Sequence, residues 1–216
     1  MTELTSVWPP FALTLTTPRL ALRPLRDDDI PQAVAAAASG IHEKDRNPFS
    51  TPWTAVSADE LGPTMARWYW QCRATSTPES WTLTLGIWSD GTFLGCQDLA
   101  ARDFAILRTV TTGSWLRKSA QGRGFGKEMR AAVALYAFDW LGAEACESEA
   151  AGWNAASLGV SKSLGYELNG ITRVSWAGQP ETVQRVRLTP ETFRRPGWQL
   201  RVAGHEQTAR FLLGLQ

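Results

Sequence analysis

The sequence predicts a mixed α/β or α+β domain. Strand-like and helix-like segments alternate along the chain, and one strand–turn–helix–strand unit lies at its centre. The scale fits as well: 216 residues, 44% hydrophobic and 20% charged, suffice for one good core and are short for two. That composition also excludes wholesale disorder.

Taken in order, Leu13–Leu25 alternates and carries Thr14, Thr16 and Thr17, which predicts a first strand with Pro18 at a break or edge. Asp27, Asp28 and Asp29 then open a helix through the Ala-rich stretch Ala33–Ala38, with Pro31 suited to its first turn and Gly40 ending it. Residues 41–57, rich in Pro, Asn, Ser and Thr, read as a long loop in which Phe49 and Trp53 are embedded. Ser57 and Glu60 form a capping box for a second helix running to about Ala74, with Leu61, Met65, Trp68 and Cys72 at helical spacing. Trp81–Ile87 and Thr92–Ala100 are strands joined by the turn Ser89-Asp90-Gly91. Val110–Leu116 is a further strand. Gln121–Gly126 is a glycine-rich turn, and Lys127–Leu141 is a helix with Met129, Val133, Tyr136 and Trp140 on one face, stopped by Gly142. Ala145–Ala151 is a short strand, and Asn154 caps a helix to Leu164, closed by Gly165. Tyr166–Trp176 and Val183–Leu188 pair as a hairpin across 177–180. The tail Thr189–Gln216 is less patterned but rich in apolar residues (Phe193, Trp198, Phe211, Leu212, Leu213). It is expected to pack on the domain or on a second subunit, in a homodimer.

Several classes are set aside at once. Lys plus Arg number 22 against 21 Asp plus Glu, a net charge of +1, which argues against a nucleic-acid binder. Cys72, Cys96 and Cys146 are too few and too scattered for a disulfide framework, and no Cys/His cluster suggests a metal site. Met1–Leu15 lacks a signal-peptide pattern, and the best apolar run, Ala131–Leu141, is broken by Asp139 and too short to span a membrane. The expectation is a soluble cytoplasmic protein.

The most informative stretch runs from Gly113 to Glu128. A strand enters a loop with glycines at 122, 124 and 126, and a helix follows at once. Such a loop turns backbone N–H groups toward one centre, and the helix N-terminus adds partial positive charge, so the place suits a phosphate. From Arg117 to Arg130 five basic residues (Arg117, Lys118, Arg123, Lys127, Arg130) stand against one acid, Glu128, while Ala131–Ser161 holds no Lys or Arg and four acids. A Walker A loop would need Ser or Thr after Gly126-Lys127, and the glycine spacing does not fit the dinucleotide fingerprint. The turn alone also fits a simple connection with solvated basic residues.

Gln121-Gly-Arg-Gly124-Phe-Gly126 resembles the [Q/R]-x-x-G-x-[G/A] motif of the GNAT N-acyltransferases. Three further segments are similar to the RimJ/RimL-type branch: Thr17-Pro-Arg-Leu20-Ala-Leu-Arg-Pro24, Gly113-Ser-Trp-Leu116, and Asn154-Ala-Ala-Ser157 followed by Lys162-Ser-Leu-Gly165-Tyr166. The match spans roughly residues 13–190 of a single 1–216 domain, leaving 191–216 as a C-terminal extension. The 41–53 insert and the tail are similar to a subgroup whose acyl donor can be succinyl-CoA. The resemblance implies a mixed sheet of six to seven strands, splayed at the middle, with about four helices.

It also implies a cofactor site. Trp115, Leu116 and Arg117 would line the pantetheine, with Leu116 and Arg117 pairing to its amides like an added strand. Gln121, Gly122, Arg123, Gly124, Phe125, Gly126 and Lys127 would hold the pyrophosphate, and Asn154 and Ser157 would reach the pantetheine from the other side. The donor would be acetyl-CoA or succinyl-CoA, with no metal. The acceptor would be a primary amine, on a small molecule or at a protein N-terminus or lysine.

Direct attack on a thioester needs a base for the amine, a donor for the oxyanion and a partner for the departing thiolate. The Leu116 N–H is a candidate for the second task and Ser157 for the third, although a serine there can also serve its own helix. The resemblance implies, for some RimL-type members, a carboxylate base on the hairpin near Val174, Ser175 and Trp176, where this chain has no acid, leaving Asp98, Asp103 and Glu149 as candidates. His42, Phe49 and Trp53 are candidate acceptor-binding residues, and Lys44, Arg46 or Arg173 could meet an acyl carboxylate. Trp53, Trp153 and Trp176 mark where this chain departs from a generic member. Trp115 and Trp140 have core explanations. Two other readings stay open: a non-catalytic acyl-CoA-binding regulatory module, and a structural protein that binds a partner through its Trp-rich surface.

Overall fold

In the computed structural model, residues 3–43, 46–176 and 179–215 are described. The elements run α1 (Leu4–Val7), β1 (Thr14–Thr16), β2 (Ala21–Pro24), α2 (Ile30–Ala38), α3 (Ala58–Ala74), β3 (Ser80–Ser89), β4 (Thr92–Arg102), α4 (Phe104–Leu107), β5 (Thr109–Leu116), α5 (Phe125–Tyr136), β6 (Ala145–Ala151), α6 (Ala155–Leu164), β7 (Glu167–Trp176), β8 (Gln179–Leu188), β9 (Arg201–Ala203) and α7 (His205–Leu213). The strands form one open mixed sheet of nine in the order β7-β8-β6-β5-β4-β3-β2-β1-β9. Among the described residues the β5–β6 pair is parallel and the other neighbours antiparallel.

The expected open mixed sheet is present, but among the described residues it has nine strands rather than six to seven, and there are seven helices rather than about four, α1 and α4 being single short turns. The predicted first strand is two, because Thr17-Pro18-Arg19 turns tightly (Thr17 N–H to the Leu20 carbonyl, 2.9 Å) and Pro18 cannot donate to a ladder. The tail is more ordered than its pattern suggested. β9 adds to β1, and α7 buries Ala209 and Leu212 in the main core, with Phe211 against Trp8 at 4.8 Å. Its apolar residues are thus used within the chain.

The sheet has two covered faces. α5 buries its length against one, in a core with Leu99, Val110, Leu116 and Cys146. α2 and α3 cover the other, meeting Phe93 and Cys96 of β4 and Trp115 of β5. Burying the 35 apolar side chains of this core is the dominant stabilising term. Two tryptophans are not where helical spacing put them. Trp68 is 51% exposed because the packed stripe of α3 is Leu61, Met65, Tyr69 and Cys72. Trp140 is 42% exposed because a π-turn at Ala137–Leu141 ends α5 and shifts the phase of that face. Trp176 is buried with Ala151 and Val183.

Candidate active site

The site begins where β5 and β6 part. Their parallel register ends at Thr112↔Ser148. Beyond it β5 continues to Leu116 paired only to β4, and β6 continues to Ala151 paired only to β8. Gly113–Leu116 and Glu149–Ala151 therefore face one another across a gap with strand edges unpaired. Edge groups in such a place call for a partner. The Arg117 N–H donates to the Leu94 carbonyl at 2.9 Å, so alternation turns the Leu116 N–H toward the gap. Gly95 lets β4 approach here: a Cβ at this position would collide with the Trp115 carbonyl.

One wall is the glycine loop. Gly124, at φ +81, is the N-cap of α5 and provides no side-chain cap, so the Phe125, Gly126 and Lys127 amides have no partner within the helix. Gln121 lies beside the loop but spends its amide on the protein. Its Nε2 donates to the Leu116 carbonyl at 2.7 Å and the Ile41 carbonyl at 2.6 Å, fixing the loop to β5 and to the residues after α2. Buried Glu128, in the first turn of α5, would oppose an anion if it were unpaired. Instead it accepts from the Thr17 hydroxyl (2.6 Å) and from Arg19 Nε (2.6 Å). The guanidinium of Arg19 also reaches the Arg123 carbonyl (3.0 Å) and lies over Phe125. Arg123 and Lys127 are exposed and Arg117 is half-buried. Arg130 is a correction to the basic field read from the sequence: it is buried, 4% exposed, and does not face the loop's surface.

The other wall is the start of α6. Asn154 caps it, its Oδ1 accepting from the Ser157 N–H at 3.1 Å. Ser157 is half-buried in that first turn, and its carbonyl accepts from the Ser161 hydroxyl at 3.1 Å. Trp153, just before, donates its indole N–H to Glu181 of β8 at 2.6 Å and carries the Arg46 guanidinium over its ring at 5.5 Å.

On the α3 side, Asp98 lies cross-strand from Gly113 on β5 and Thr84 on β3. A Cβ on Gly113 would stand 3.8 Å from Asp98 Oδ2, so the carboxyl sits beside the first residue of the gap. Burial pushes its pKa up to about 6, opposed by the Thr84 hydroxyl. The other two carboxylates fare differently. Asp103 is corrected: it is exposed beyond the end of β4, past Ala100↔Thr111, at the end of the strand away from the gap. Glu149 lies on the gap's β6 edge but is exposed, opposite Arg185.

The 41–57 loop folds over this side. Phe49 packs on Trp53 (5.0 Å between ring centroids) and Trp53 on Trp115 (5.9 Å), all against the α2–α3 cluster. His42 is hydrogen-bonded to the Thr54 hydroxyl and the Glu43 carbonyl, both at 2.7 Å, which fixes the loop. Of the residues suggested for an acyl carboxylate, Arg46 sits on Trp153, Arg173 is exposed on β7, and Lys44 falls outside the described residues. Among the described residues no His/Cys/Asp/Glu group is arranged to hold a metal, and the three cysteines are buried free thiols.

Sequence reasoning missed Ser114, Arg130 and Ser161. Arg130 Nη1 donates to the Ser161 hydroxyl at 2.8 Å and Nη2 reaches the Ser114 hydroxyl at 3.4 Å. A signal was present: Arg130 stands inside the otherwise apolar run Met129–Leu135, where a solvated arginine has no place.

A sheet parted between β5 and β6, with an uncapped glycine-loop helix on one wall, defines an acyltransferase-type site. Residues 19–167, more than half of the chain, match the acetyltransferase (GNAT) domain family, and the chain belongs to that family. It is similar in structure to RimJ of Mycobacterium smegmatis, solved with CoA-disulfide (TM-score 0.71, 19% identity, 93% of each chain covered). It is also similar to RimL, the ribosomal L7/L12 α-N-protein acetyltransferase, solved with coenzyme A (TM-score 0.63, 16% identity, 80% of this chain and 95% of that one). A GCN5-related N-acetyltransferase from Brucella melitensis aligns with a TM-score of 0.66 and 18% identity, over 83% and 79%.

Proposed function

We propose that the chain is an N-acyltransferase that moves an acetyl group from acetyl-CoA to a primary amine, by direct attack with both substrates bound. The observation that supports this most is the gap between Gly113–Leu116 and Glu149–Ala151, with a glycine loop at one lip and the half-buried Asp98 carboxyl at the other. The unpartnered amides of Phe125, Gly126 and Lys127 fit a pyrophosphate, with Arg123 and Lys127 beside them. The edge of β5 fits the amides of a pantetheine arm. The coenzyme A bound in the RimJ and RimL structures agrees with this reading.

In this mechanism Asp98 takes the proton of the attacking amine. Its pKa of about 6 leaves it ionised at neutral pH yet more basic than an ordinary carboxylate. The Leu116 N–H stabilises the developing oxyanion, and the Ser157 hydroxyl faces the departing sulfur. Phe49 and Trp53 shape the acceptor's entry. The acceptor is a protein N-terminus, a lysine or a small amine, the first being the substrate type named for RimL. Succinyl-CoA is the alternative donor.

Thiol release from acetyl-CoA and succinyl-CoA, with a panel of peptides and small amines, tests this reading. Amine-dependent release supports it. Acyl-CoA binding without release by any amine would favour the non-catalytic binding module instead.

A further inference from the structure

Arg130 is a buried cation with no ion-pair partner among the described residues. The residue is 4% exposed, its Nε has no partner among the described residues, and its two hydrogen bonds go to neutral hydroxyls. Among the described residues the surroundings supply no countercharge. β5 contributes Ser114 and Thr112, α6 contributes Ser161, β6 contributes Cys146, and the turn into β7 contributes Tyr166. Burial pushes the Cys146 thiol and the Tyr166 phenol up, so both stay neutral near pH 7. Glu128, on the same helix, is committed to Thr17 and Arg19. A buried charge left so costs several kcal/mol in general, and an opposite charge brought by a ligand would offset that cost.

The place of Arg130 says which part of a ligand that is. Ser114 belongs to the unpaired segment of β5, and Ser161 lies one turn past Ser157 on α6 and is bonded to its carbonyl. The guanidinium therefore joins the β5 edge of the gap to α6. In the reaction proposed above, on which this inference rests, the amine's C–N bond forms and its proton passes to Asp98. The C–S bond breaks, and its electron pair leaves on sulfur. The negative charge thus appears between these walls.

We propose that Arg130 is the positioning residue that holds the countercharge for the coenzyme A thiolate. It acts through Ser114, whose hydroxyl accepts from Nη2 and so turns its own proton into the gap. Arginine suits the task because it keeps its charge at every working pH.

The test is an ultraviolet titration of the thiolate of coenzyme A bound to the full chain. Desulfo-coenzyme A binding serves as the check that the site is intact. In the unaltered protein the bound thiol ionises about one pH unit or more below free coenzyme A, a tenfold preference for thiolate. Arg130→Met removes that shift while desulfo-coenzyme A binds as before, Arg130→Lys restores most of it, and Ser114→Ala loses part. An arginine with only a structural role would alter the melting temperature of Arg130→Met and leave the thiol's ionisation alone. A bound thiol that titrates like free coenzyme A, or a shift that survives Arg130→Met, overturns the proposal and leaves the acyltransferase reading standing. Failure of the unaltered protein to bind either compound overturns both.

Discussion

Gly113 and Ser114 are neighbours on β5 whose side positions face opposite sides of the sheet, and the two sides hold charges of opposite sign. On the α3 side Asp98 lies next to Gly113. On the α5 side Arg130 meets Ser114. Arg130 is buried and Asp98 half-buried, and neither has an ion-pair partner among the described residues. The difference is in what they can do. A carboxyl whose pKa is about 6 can gain and lose a proton near neutrality, whereas a guanidinium cannot. One face is built for proton transfer and the other for a fixed field, at the place where the strands part.

Breaking the proton-accepting side has the largest expected effect. Asp98→Asn should lower kcat/KM by about a hundred- to ten-thousandfold, the usual range for a lost general base. In the unaltered enzyme kcat/KM should fall as pH drops through about 6, because the carboxyl is then protonated, and a pH–rate profile checks this. Stability should move the other way. The folded pKa lies above the ordinary 3.8, so ionising Asp98 works against folding. Stability from this group is greatest at pH below the ordinary value and is lost as pH rises through about 6. Asp98→Asn should therefore stabilise the protein above pH 6, by on the order of 2 kcal/mol, readable as a higher Tm.

The anchor of the glycine loop comes next. Glu128→Ala leaves Arg19 without its partner and removes the acceptor of the Thr17 hydroxyl. Arg19 is half exposed, so the cost should be about 1–3 kcal/mol in urea unfolding, with weaker acyl-CoA binding. The smallest effect is expected at the capped helix. Asn154→Ala removes one side-chain cap from α6 and should cost about 1 kcal/mol, a drop of about 2–4 °C in Tm. A comparable loss from any change at the uncapped start of α5 would blur the distinction between the two helix termini.

Much of this was legible in the sequence, for identifiable reasons. The central strand–loop–helix unit and the Asn154 cap are local: a glycine at positive φ, a capping side chain and an apolar stripe announce themselves within a few residues. The sequence also brought Asp98 forward as a candidate base, without separating it from Asp103 or Glu149. That separation depends on which face and which end of a strand each carboxyl occupies, and so on pairing across β3, β4 and β5. Arg130 was hidden for the same kind of reason. Counted along the chain it joins a basic stretch; in space its helix turns it inward. Gln121 fits its motif, yet its amide is spent on two carbonyls, which only the fold brings within reach.

The central claim is that acyl-CoA lies in the gap with its pyrophosphate on the start of α5. Calorimetric titration of acetyl-CoA into the unaltered protein and into Gly124→Glu tests it most directly. Gly124 has φ +81, and a Cβ there would press on Arg19 Nη2 at 3.2 Å, while the new carboxylate would meet the phosphates. The expected result is one site in the unaltered protein and affinity at least about a hundredfold weaker in a folded variant, a difference of roughly 2.7 kcal/mol. No binding by the unaltered protein, or equal binding by both, would contradict the account.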